Sequence, residues 1–73
     1  LEFRNQNPEV SVVVPVYNEV PTNLDALLER LHVVFEPSLV FYEVVFVDDG
    51  SQELTASYVR GLAQRNLHVR LIV

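Results

Sequence analysis

Two short polar clusters carry the chemistry available to this sequence: Pro15-Val16-Tyr17-Asn18-Glu19 and Asp48-Asp49-Gly50-Ser51. The first sets an aromatic ring beside a carboxylate. The second sets two acids beside a glycine and a hydroxyl. A ring that stacks and carboxylates that accept N–H bonds suit the edge of a nucleobase. They do not suit bare phosphate, which the acids repel unless a divalent cation bridges them. His32 and His68 have no second His or Cys nearby, so both read as solvated side chains and no metal site is predicted.

The elements that position these clusters follow from hydrophobic spacing. Val10 to Val16 is β-branched and predicts a strand, with Pro15 marking the point where strand becomes loop. Leu24, Leu27, Leu28, Leu31 and Val34 or Phe35 recur at helical spacing and predict a helix over 23–35. Thr22 and Asp25 form a weak capping box before it, and Pro37 ends it. Tyr42 to Val47 predicts a second strand, and Glu53 to Arg65 a second helix with Leu54, Tyr58, Leu62 and Ala63 or Val59 inward. Asn66 is the expected C-cap, and Val69 to Val73 begins a third strand. Residues 1–9 read as a polar lead-in.

Strand, helix, strand, helix, strand implies an α/β fold with a parallel sheet. Right-handed crossovers put both helices on one face and give a three-stranded sheet in order 3-2-1, a partial Rossmann-like βαβαβ unit. Both polar clusters then fall at carboxyl ends of adjacent strands, about 4.8 Å apart, where open α/β sheets bind ligands.

Composition narrows the field. The chain has 73 residues and a net charge of -5, which bounds it to one small domain. A chain of this size buries only about 60% of its unfolded surface, and without Cys it has no disulfide or thiolate zinc to compensate. All five basic residues are scattered arginines, so nucleic acid and anionic membrane surfaces are poor partners. With no Lys and only Gly50 and Gly61, neither a phosphate-binding P-loop nor a dinucleotide fingerprint can be built. No segment reaches the roughly 18 apolar residues of a membrane span, and no signal pattern opens the chain.

Val10, Val12, Val14 and Val16 face one side of the first strand and Ser11, Val13 and Pro15 the other; Val44 and Phe46 likewise oppose Val45 and Val47. Both sheet faces are apolar, as in strands covered on both sides. Two helices on one face leave the other bare, and the sequence ends inside the apolar run Leu71-Ile72-Val73. The expectation is a piece of a larger α/β domain, or a chain that self-associates through the uncovered sheet.

Val12-Val13-Val14-Pro15-Val16-Tyr17-Asn18-Glu19 followed by Tyr42-Glu43-Val44-Val45-Phe46-Val47-Asp48-Asp49-Gly50-Ser51 resembles the N-terminal signature of family 2 glycosyltransferases. Within them the match looks like the polyprenyl-phosphate sugar transferases of the dolichol-phosphate mannosyltransferase type. The resemblance implies a glycosyltransferase A-type fold, residues 10–73 being its nucleotide-binding half. It implies a UDP- or GDP-type sugar donor, a polyprenyl phosphate acceptor, Mg or Mn in the complete enzyme, and a place at the cytoplasmic face of a membrane. Carried over by motif, Pro15, Tyr17 and Glu19 line the nucleoside pocket and Asp48 accepts from the base. The family's later Asp-x-Asp metal motif and catalytic base have no counterpart in the sequence, so the chain alone is expected to bind no metal and catalyse no transfer.

Plainer roles compete at several positions. Asp49 and Ser51 suit a turn and a helix cap, and Gly50 a positive-φ turn position. Asp48 is a second acid that no cap requires, which favours a ligand role. Tyr17 either lines a pocket or packs on the sheet end, and Glu19 either meets ligand or favours a helix N-terminus. Two other functions stay open: a non-catalytic scaffold stable through self-association, and a phospho-receiver-like domain, for which Lys and a third strand-end acid are missing.

Overall fold

The computed structural model describes residues 7–73, so most of the predicted lead-in lies outside the described residues. The order is β1 (Val10–Val16), α1 (Pro21–Phe35), a 3₁₀ turn (Glu36–Ser38), β2 (Tyr42–Asp48), α2 (Glu53–Arg65) and β3 (Val69–Ile72). The three strands form one parallel sheet with β2 in the centre. Register is set by the valine pattern: Val12 lies opposite Val44, Val14 opposite Phe46, and Phe46 opposite Leu71.

The core lies on one face. Val16, Tyr42, Val44, Phe46 and Val69 from the sheet meet Leu24 of α1 and Val59 and Leu62 of α2, with Leu27, Leu28, Leu31 and Phe35 packed around them. Phe46, fully buried on the central strand, contributes on the order of 2–3 kcal/mol by burial alone. Phe35 takes the inward place at the end of α1, and Val34 faces solvent. The other sheet face is open at its edge strands, with Val13 63% exposed and Ile72 49%, while Val45 on the central strand is buried.

Four local expectations are corrected. Pro15 does not end its strand, because it pairs in register with Val47. Val16 directs its carbonyl inward to the Asp49 N–H at 3.1 Å, so the adjacent Pro15 turns its donorless nitrogen to the open edge of β1. α1 begins at Pro21 rather than at a Thr22 cap: proline at the first helical position has the right φ and no N–H to leave unpaired. In α2 the inward stripe is Thr55, Val59 and Leu62, while Leu54 is 76% exposed. Thr55 takes that place because its hydroxyl has a partner there, the Glu19 carbonyl at 3.0 Å. His68 is half-buried, stacked on Tyr42 with ring centroids 4.1 Å apart and Nδ1 2.8 Å from the Tyr42 carbonyl oxygen.

Tyr58 joins the helices. Its hydroxyl donates to the Asp25 carboxylate on α1, a bond that holds the Tyr58 phenol above its ordinary value, and Arg65 lies over its ring at 5.4 Å. Asn66 is the C-cap of α2, as expected; its Oδ1 also accepts the His68 N–H at 2.9 Å.

Candidate functional site

The two strand-end loops, 17–20 after β1 and 49–52 after β2, lie side by side because Val16 and Asp48 are register partners. In the second loop Asp48 is 8% exposed, and its Oδ1 accepts the Ser51 N–H at 3.0 Å. That closes a turn in which Gly50 takes φ 81°. A Cβ at Gly50 would meet nothing within 4 Å, so the backbone angle alone calls for glycine. The acid expected to be free of structural duty therefore has one, whereas Asp49 faces solvent. Neither Asp49 nor Ser51 caps α2: the N-cap is Gln52, with no side-chain bond.

The first loop is held differently. Glu19 Oε1 accepts from Asn23 Nδ2 at 2.9 Å and from the Val20 N–H at 3.1 Å. The Asn23 amide, and then the Val20 N–H, hold its carboxyl below the ordinary value of 4.5. Glu19 thus uses its side chain at the start of α1, where the exposed helix N–H groups favour an anion. Asn18 adopts φ 50°. Its N–H donates to Ser51 Oγ at 2.9 Å, and its Oδ1 accepts the Gln52 N–H at 2.6 Å. Tyr17 is 66% exposed at the rim.

The fold brings Tyr17, Glu19, Asp48, Asp49, Gly50 and Ser51 to one end of the sheet. Pro15 is set apart: alternation along β1 puts it on the open face, opposite the helix-covered side to which Asp48 belongs. Asn18 and Thr55 are site-building residues that sequence reasoning missed. Asn18 carried one usable signal, since asparagine tolerates the left-handed region at a turn tip. Thr55 carried none, its partner lying 36 residues away. Among the described residues no three His, Cys, Asp or Glu side chains converge on a possible metal position. A surface concavity of about 430 Å³, lined by Ala26, Glu29, Arg30, Val33 and Val34, lies on the outer side of α1 and includes neither loop.

A ring and two acids thus stand at the adjacent strand ends of a parallel α/β unit. Residues 11–73 match the family model for glycosyl transferase family 2. The chain belongs to that family. The family 2 chain is 46% identical over 56 residues to an undecaprenyl-phosphate 4-deoxy-4-formamido-L-arabinose transferase of Edwardsiella ictaluri, covering 77% of the chain and 17% of that relative. It is 39% identical over 66 residues to the dolichol-phosphate mannosyltransferase of Saccharomyces cerevisiae, covering 89% and 24%. An uncharacterized glycosyltransferase of Synechocystis matches at 36% over 64 residues, covering 88% and 20%. The chain spans about a fifth of the length of the curated relatives it matches. No solved structure matches it. Among the described residues no helix of this family 2 chain is long and apolar enough to cross a membrane.

Proposed function

We propose that this chain is the nucleotide-recognising part of a glycosyltransferase that moves a sugar from a UDP- or GDP-type donor to a polyprenyl phosphate. The observation that carries the reading is the pair of strand-end loops bonded to each other, with Tyr17 exposed at one rim and the Asp48-Asp49 pair at the other. In this reading Tyr17 stacks on the base, and the strand-end acids accept its N–H groups. Pro15 and Glu19 act through the backbone that shapes the rim. The acceptor assignment leans on relatives whose names specify undecaprenyl phosphate and dolichol phosphate. The catalytic base and the Mg or Mn site belong, on this reading, to parts of the enzyme other than these residues, and the transfer takes place at the cytoplasmic face of a membrane.

A second reading, a scaffold that self-associates through its open sheet, is favoured by the exposed Val13 and Ile72. An amide-resolved NMR titration with UDP and GDP, with and without Mg, separates the two. Shifts confined to residues 17–19 and 47–52 are expected, the stronger ligand identifying the base. Signals that ignore both nucleotides, with line widths growing with protein concentration, would favour the scaffold.

A further inference from the structure

We infer that Asn18 is the positioning residue of this site, the side chain that locks the first strand-end loop to the second and so aims Tyr17. Its purpose rests on the proposed nucleotide reading; its geometry does not. Tyr17 has no hydrogen-bond partner among the described residues, and its ring is largely exposed. The direction of that ring is therefore set by the backbone on either side. On one side Val16 is held in the sheet, its carbonyl accepting from Asp49. On the other side Asn18 is held by two bonds to residues 33 and 34 positions away, Ser51 and Gln52. Glu19 adds one more tie through its carbonyl to Thr55, but its side chain bonds only Val20 and Asn23 at the start of α1.

Ser51 makes the connection continuous. Its N–H donates to the buried Asp48 while its Oγ accepts from Asn18, so the acid at the end of β2 is linked through one residue to the tip of the opposite loop. Only a short side chain with an acceptor at the δ position, on a residue that tolerates φ 50°, meets both demands. Aspartate satisfies them. Glycine keeps the backbone angle but loses the acceptor, and alanine loses both.

The test uses the full-length protein that carries this chain, with Asn18→Gly, Asn18→Asp and Ser51→Ala. Each is assayed for KM and kcat with the nucleotide sugar, for binding of UDP and GDP, and for amide exchange. Loss of a clasp bond is expected to raise the nucleotide Kd and KM roughly 5- to 10-fold in Asn18→Gly and Ser51→Ala, with kcat held within about twofold. Asn18→Asp should restore the wild-type KM. A merely structural role would instead reduce the active fraction, lowering kcat at constant KM, and that result would overturn the inference. If the wild-type protein binds no nucleotide, the proposed function fails by itself, and exchange decides the clasp. Faster exchange at the Tyr17 and Asn18 amides in Ser51→Ala upholds it, and unchanged exchange overturns it.

Discussion

The loops after β1 and β2 occupy equivalent places, each joining a parallel strand to a helix, yet they are held by different means. The second closes on itself: Asp48, buried at the strand end, accepts from Ser51 across a turn that Gly50 makes possible. The first cannot, because it has no acid at the strand end. Its register partner of Asp48 is Val16, and its tip depends on Ser51 and Gln52 of the neighbouring loop. One loop is thus a rigid platform built from local bonds, and the other is aligned by bonds to that platform. A site composed this way fixes Asp48 by its own side-chain bond and leaves the exposed Tyr17 ring to be aimed by its backbone.

The difference between the loops can be probed at three depths. The largest effect is expected beneath both of them: Phe46→Ala removes the fully buried ring under the strand ends and should cost about 3–5 kcal/mol in chemical denaturation. It would loosen both loops together and erase the contrast. Next is the platform itself. Asp48→Ala removes the acceptor of the Ser51 N–H and should cost about 1.5–3 kcal/mol, whereas Asp48→Asn keeps an oxygen in place and should cost less. Equal destabilisation by the two would show that the charge, and not the turn, is what Asp48 supplies to the fold. A drop in nucleotide affinity in Asp48→Asn, with the turn retained, would assign the charge to ligand.

The smallest effect belongs to the first loop and is read by pH. The folded-state pKa of Glu19 is depressed, so its tie to Asn23 and Val20 is present above about pH 4.5 and is lost as pH falls through the lower folded value. The Val20 amide and the Asn23 side-chain amide should shift in that window by NMR as the start of α1 loosens. Glu19→Gln, which retains an acceptor but does not titrate, should abolish the change. A shift that persists in Glu19→Gln would place the titrating group elsewhere.

Much of this architecture was legible beforehand where the signal was local. The bounds of β1 and α2 coincide with the apolar spacing, and Asn66 caps α2 as its residue type suggests. The helical spacing of α1 was read correctly, but its start was not, because Thr22 offers a cap on paper while Pro21 already supplies a helical φ. Leu54 was misread for a related reason. Periodicity alone does not distinguish a stripe from its neighbour one residue on, and the hydroxyl of Thr55 had the Glu19 carbonyl as a partner. At the site, residue types identified the rim, but the duties of its acids did not follow from type. Asp48 takes the turn, Asp49 faces solvent, and Glu19 serves the start of α1.

The sequence by itself determined the element order, the parallel sheet with both faces apolar, and the two strand-end motifs shared with family 2. Each of these rests on spacing within a few residues or on strand-helix alternation. Only the tertiary structure decided that Asn18, and neither acid, fastens one loop to the other. The bonded groups lie 33 and 34 residues apart, and no local pattern records a hydrogen bond that exists only once β1 and β2 have paired in register.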